Sequence, residues 1–146
     1  MLLLDTNIII GILREKEGII KRYKKISGKK QPIYLTTYSL SEIYLGFHDQ
    51  EFKKQTAEKL KLQKELFNRM VIKLQGQNRI ISLSAEDSKI LGELFYLLKV
   101  KGNPIPLIDA IIGAIVISRE LTVITTDKNH FNVIKRIYEN FKVEYW

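Results

Sequence analysis

Short apolar runs that stop at a carboxylate constrain this chain more than any other feature. Met1 to Leu4 is the first, and it ends at Asp5. A strand with one wet face alternates in polarity, so an unbroken apolar run reads as a strand covered on both faces. Ile8 to Leu13 then begins a helix, and Gly18 to Ile26 continues as an amphipathic one with Lys21, Arg22, Lys24 and Lys25 outward. Ser27 to Pro32 is loop by composition. Ile33 to Thr37, rich in β-formers and preceded by Pro32, makes the second strand.

The same alternation continues to the end of the sequence. Ser39-Leu40-Ser41-Glu42 has the spacing of a capping box, which starts a helix running to about Phe47. From Asp49 to about Gln75 the pattern is helical, with Leu60, Phe67, Met70, Val71 and Leu74 inward; a break into a helical hairpin has no marked position. Arg79 to Leu83 is a third strand, and Ser84 with Asp87 forms a second capping pair at the head of a helix reaching Val100. Gly102 to Pro106 is a turn. The helix from Asp109 to Arg119 is apolar nearly all round and must be deeply buried. Thr122 to Thr125 is a fourth strand, Asn129 to Tyr138 a helix and Lys142 to Tyr145 a fifth strand. Strands alternating with helices predict an α/β fold, a three-layer sandwich with a central, roughly five-stranded parallel sheet. The 146 residues suit a single domain spanning 1–146.

In such sheets the functional crevice lies beyond the carboxyl ends of the strands. Asp5 ends the first strand, and Asp127 lies two residues past the end of the fourth. Glu42 sits in the first turn of the helix after the second strand, and Asp109 opens the buried helix. Singly, each acid has a capping explanation: Asp5 for the Ile8 helix, Glu42 with Ser39, Asp109 at its own helix start, Asp127 through an Asx turn with Asn129. Jointly they say more. Carboxylates crowded into one crevice repel and raise one another's pKa unless a cation neutralises them. The four together therefore predict a bound metal, held by Asp5, Glu42, Asp109 and Asp127.

Composition narrows the ion. With no cysteine and only His48 and His130, the chain has no thiolate site and no histidine-rich zinc cage. Oxygen ligands suit Mg2+ or Mn2+. His130, just before Phe131 at a helix start, is read as a packed or capping histidine rather than a ligand. Lys and Arg number 24 against 16 Asp and Glu, a net charge of +8 that favours a polyanionic partner. An acidic floor inside a basic surface suits metal-assisted hydrolysis of a phosphodiester. Neither apolar stretch, Met1 to Leu13 nor Ile105 to Ile117, has the length and continuity of a membrane span, so a cytoplasmic protein without membrane attachment is expected.

Leu3-Leu4-Asp5-Thr6-Asn7, Ser41-Glu42, Ile108-Asp109-Ala110 and Ile124-Thr125-Thr126-Asp127-Lys128-Asn129-His130-Phe131 together resemble the PIN-domain family, most closely VapC-type toxins of prokaryotic toxin–antitoxin pairs. The resemblance covers Met1 to about Ile134. It implies a five-stranded parallel sheet, dependence on Mg2+ or Mn2+ and endonucleolytic cleavage of RNA, with Asp5, Glu42, Asp109 and Asp127 as the acidic quartet. Thr6, Asn7, Thr125 and Thr126 would orient those acids through hydrogen bonds. It further implies a homodimer and a small VapB-like antitoxin. Among the basic residues, Arg14 and Lys128 are candidates for RNA phosphate contact. The segment Asn103 to Leu107 lacks the basic residue common near there in the family.

Three other readings stand beside this one. A non-catalytic RNA-binding or scaffold domain would keep the fold without the chemistry. An RNA-processing nuclease would act outside any toxin–antitoxin pair. A phosphatase would use Asp5 as nucleophile, although that chemistry wants a second acid where Asn7 stands.

Overall fold

Alternation of side chains along each strand divides the core of the computed structural model in two. The structure describes residues 1–28, 31–52 and 57–146, residues 51 and 52 by backbone alone. In β1 (Leu2–Leu4), Leu2 and Leu4 point to one face and Leu3 to the other. The first face packs on α1 (Thr6–Leu13), α2 (Glu17–Ser27), α3 (Thr37–Phe52) and α4 (Ala57–Gly76), where Ile8, Ile9, Ile43, Phe47, Leu60 and Phe67 are buried with Leu35 of β2 (Ile33–Thr36). The second face packs on α5 (Ala85–Val100), α6 (Leu107–Ser118) and α7 (Lys128–Ile137), with Val123 of β4 (Thr122–Thr125) among Leu94, Ile112, Ile115, Phe131 and Ile134. Helices on both faces of a sheet give the three layers that strand and helix alternation predicts.

The sheet is parallel throughout, in the order β3-β2-β1-β4-β5, with β3 at Ile80–Ile81 and β5 at Lys142–Tyr145. Leu2, Leu3 and Leu4 register with Thr122, Val123 and Ile124, so the carboxyl ends of β1 and β4 lie side by side. The chain winds outward from β1 through β2 to β3, then crosses back to β4 and β5. The boundary between β1 and β4 is therefore the point where strand order reverses and a crevice opens above the sheet.

Several boundaries differ from the sequence reading, for local reasons. α3 begins at Thr37, because Thr36 rather than Ser39 does the capping: its Oγ1 accepts from Ser39 N at 3.0 Å and lies 2.9 Å from Ser39 Oγ. Glu42 thus sits in the second turn and belongs to no box with Ser39. α6 starts two residues before Asp109, and α7 one residue before Asn129. β3 is shorter than Arg79 to Leu83, as suits an edge strand paired only with β2. Ser84 and Asp87 do form the expected capping box. Glu15, at φ 56°, takes the left-handed conformation that ends α1 and turns the chain into α2. Lys29 and Lys30 of the expected loop, and residues 53–56 of the expected long helix, lie outside the described residues.

Candidate active site

Asp5 and Asp127 stand at the two strand ends that flank the reversal point, and each also caps the helix it precedes. Asp5 Oδ1 accepts from Thr6 N at 2.7 Å. Asp127 Oδ1 accepts from Asn129 N at 2.8 Å and His130 N at 3.1 Å. Capping and a place in the crevice are therefore not alternatives: one carboxylate oxygen satisfies a helix terminus while the group as a whole is held at the sheet edge.

A short polar network locks Asp5. Its Oδ2 accepts from Thr125 Oγ1 at 2.6 Å and from Asn7 Nδ2 at 2.6 Å. Thr125 Oγ1 in turn accepts from Asp127 N at 2.9 Å, and Asn7 Oδ1 accepts from Thr126 N at 3.0 Å. Thr6 gives its hydroxyl proton to Glu42 Oε2, which draws α3 to the start of α1. Thr6, Asn7 and Thr125 thus act on the acids through their side chains. Thr126 takes part through its backbone N–H, which any residue but proline would supply.

The four acids line one cleft of about 390 Å3 together with Thr6, Asn7, Ile10, Leu45, Gly46 and Asp49. Asp49 is a fifth carboxylate that the sequence reading did not single out. It lies seven residues after Glu42 on the same side of α3, a spacing of two helical turns. Five Asp and Glu among the described residues face this cleft, so the surface outside it is more cationic than the net charge of +8 indicates.

Crowding shows in the titration of these groups. Asp5 is 4% exposed, and burial pushes its carboxyl up to about 6; hydrogen bonds from Thr125 and Thr6 oppose this, and the charges of Asp109 and Glu42 add to it. Burial also raises Asp109, with His130 opposing and Asp127 and Glu42 reinforcing the shift. Tyr145, at the end of β5, is raised by burial and then by the nearby charge of Asp127.

His130 follows Asp127 by one helical turn, and its Nδ1 lies 2.7 Å from Asp127 Oδ2 and 2.8 Å from Asp109 Oδ2. Nδ1 is buried and makes no aligned hydrogen bond, despite those distances. Ligand atoms of Asp109, Asp127 and His130 all lie within 4.8 Å of one another. Several anionic oxygens converging beside an orphaned nitrogen fit a divalent cation, which supplies the positive charge that the raised carboxyl pKa values call for. The histidine, read from sequence as a packing or capping residue, is turned into this cluster.

Lys128 is exposed at the first position of α7, next to Asp127. Arg14, also exposed, lines a separate apolar pocket of about 70 Å3 that shares Ile10 and Gly46 with the acidic cleft. No described helix is long and apolar enough to cross a membrane.

The family model for the PIN domain matches residues 2–137. Solved structures share the fold. The chain superposes on FitAcB from Neisseria gonorrhoeae with a TM-score of 0.76 at 25% identity, covering 98% of this chain and 96% of that one. VapBC2 from Rickettsia felis, bound to a DNA fragment from its promoter, gives 0.75 at 24% identity over 99% and 98%. VapBC-5 from Mycobacterium tuberculosis, of the VapBC family of toxin-antitoxin systems, gives 0.70 at 18% over 99% and 97%. No curated protein sequence matches significantly.

Proposed function

We propose, from the premise that this chain belongs to the PIN domain family, that residues 1–146 act as one domain, a Mg2+- or Mn2+-dependent endoribonuclease, and serve as the toxin of a toxin–antitoxin pair in the cytoplasm. The observation that carries the reading is the convergence of Asp5, Glu42, Asp109 and Asp127 on one cleft at the sheet's reversal point.

These four would hold the divalent ion. When bound, that ion supplies Lewis acidity to a phosphoryl oxygen and to the attacking water. The chain's own residues supply placement. Thr125 and Asn7 fix the carboxylate plane of Asp5, and Thr6 fixes Glu42, so the anionic groups keep their geometry before substrate arrives. The excess of Lys and Arg outside the cleft attracts the RNA backbone, with Lys128 and Arg14 at its margins as phosphate contacts.

A covalent phosphatase is disfavoured by the same network. Asn7 stands where that chemistry wants a second acid, and its amide donates to Asp5 Oδ2 at 2.6 Å, so no general acid sits beside a nucleophilic carboxylate. The toxin role and a VapB-like antitoxin rest on the motif resemblance and on the VapBC structures that share this fold. The homodimer rests on the resemblance alone.

Single-stranded RNA incubated with the purified chain tests the reading. Cleavage is expected with Mg2+ or Mn2+, abolished by chelator, and reduced on the order of 10²–10³-fold or more in Asp109→Asn. Undiminished cleavage in excess chelator overturns the mechanism, and RNA binding without cleavage under any divalent ion supports the scaffold reading instead.

A further inference from the structure

We propose that His130 is a direct nitrogen ligand of the divalent ion, beside Asp109 and Asp127, and that it makes the site prefer Mn2+ to Mg2+. The inference rests on the metal-dependent reading above and goes further, since the acidic quartet alone offers only oxygen.

The geometry of Nδ1 is the starting point. It sits 2.7 and 2.8 Å from carboxylate oxygens of two different residues. Neither contact is aligned as a hydrogen bond, and the atom is buried. A buried polar atom left without a partner is costly, and native proteins rarely keep one without a use. Adjacent ligands of an octahedral cation with bonds of about 2.1 Å stand roughly 3 Å apart, close to the separations seen between Nδ1 and both oxygens.

The ring is placed rigidly. His130 N donates to Asp127 Oδ1 at 3.1 Å, which fixes the first turn of α7. Phe131 and Ile134, both fully buried, anchor that helix against α6 and β4. Asp109 comes from the first turn of α6 and His130 from the first turn of α7, so two of the three donors ride on packed helices, and the third, Asp127, caps α7. Positions carried on such elements hold ligand geometry well.

A nitrogen donor changes the chemistry of selection. Carboxylate and water suit Mg2+ and Mn2+ alike, whereas imidazole favours transition ions, and Mg2+ accepts it poorly. The competing role for His130 is to bridge the two carboxylates without touching the ion.

Pulsed EPR of the full chain loaded with Mn2+ separates these. Directly bonded imidazole nitrogen is expected to give 14N coupling in the wild type and none in His130→Ala. Calorimetric titration of metal-free protein is expected to show Mn2+ affinity falling about tenfold or more in His130→Ala, with Mg2+ affinity changing less than about threefold. Bound Mn2+ without nitrogen coupling overturns the proposal alone, as does an equal loss for both ions. Failure of the wild type to bind either ion overturns it together with the metal-dependent nuclease reading.

Discussion

Thr125 gives its hydroxyl proton to Asp5 Oδ2 at 2.6 Å, joining the ends of β4 and β1 across 120 residues of sequence. Thr125 Oγ1 itself accepts from Asp127 N at 2.9 Å and from Asn7 Nδ2 at 3.0 Å, so one buried hydroxyl coordinates three groups at the cleft. Thr125→Val keeps the shape and the strand preference but removes every one of these bonds. A stability loss of about 1–3 kcal/mol is expected from the donors left buried, and RNA cleavage falling about 10- to 100-fold from the freed carboxylate. Denaturant unfolding and initial cleavage rates check the two separately; a variant that loses stability yet cleaves at the wild-type rate would show that Thr125 has only a structural role.

Asp5 makes the metal-free protein sensitive to pH in the direction opposite to an ordinary paired aspartate. Its carboxyl is raised from 3.8 to about 6 in the folded state, so folding favours the protonated form. That contribution is fully present below the unfolded value and is lost as pH rises through about 6, a change on the order of 3 kcal/mol between pH 4 and 7. Asp5→Asn carries a pH-independent offset, because one acceptor becomes a donor, but does not ionise. With chelator present, the stability of Asp5→Asn relative to wild type is expected to rise across that window, and a saturating divalent ion is expected to reverse the trend. Parallel curves for the two proteins would refute it.

Asp49 and Glu42 share a face of α3 and line the same cleft, yet their surroundings differ. Glu42 is half-buried and receives the Thr6 hydroxyl proton, whereas Asp49 is exposed. Solvent screens an exposed carboxylate strongly. Asp49→Asn is accordingly expected to lower cleavage by less than about tenfold, and Glu42→Gln by on the order of 10²-fold or more. Equal effects of the two substitutions in the same cleavage assay would show that Asp49 is part of the site itself.

The acids at strand ends are legible because their strands are: three apolar residues before Asp5, and Thr122 to Thr125 before Asp127, fix element type and direction. The Ser84–Asp87 box was equally plain, since both partners lie within one turn. Glu42 reaches the crevice because its helix starts at the end of β2, as expected, but it sits one turn further along and outside any box with Ser39. Thr36 and Ser39 are both good caps, and which one serves depends on where β2 stops pairing with β1, a tertiary fact. The real partner of Glu42, Thr6, is 36 residues away; the family resemblance marks Thr6 as orienting the acids but not which acid it holds. Asp49 was hidden in a charged helical segment where a seven-residue spacing passes for a solvated face. His130 looked like part of a cap, and its backbone is one; the direction of its ring is set by where α6 brings Asp109.

In the first turn of α5, Asp87 is fully buried and still charged. Burial pushes its carboxyl up, but hydrogen bonds from Arg119 and from the Ser84 backbone outweigh this and hold it below the ordinary carboxylate value. Arg119 reaches both carboxylate oxygens and also donates to Ser82 O at 2.9 Å, tying the end of α6 to the start of α5. Removing the guanidinium leaves a buried anion without its cation. Arg119→Ala is expected to cost about 3–5 kcal/mol, whereas Arg119→Lys retains charge but loses the two-pronged contact and recovers only part of that. Because the folded value is depressed, the pairing contributes stability above the unfolded value of 3.8 and loses it as pH falls through the folded one. Unfolding of wild type and Arg119→Ala by urea at pH 7 and near pH 3 reads both effects: the gap between them is expected to narrow in acid, and a gap that stays constant would mean that Arg119 stabilises by packing rather than by charge.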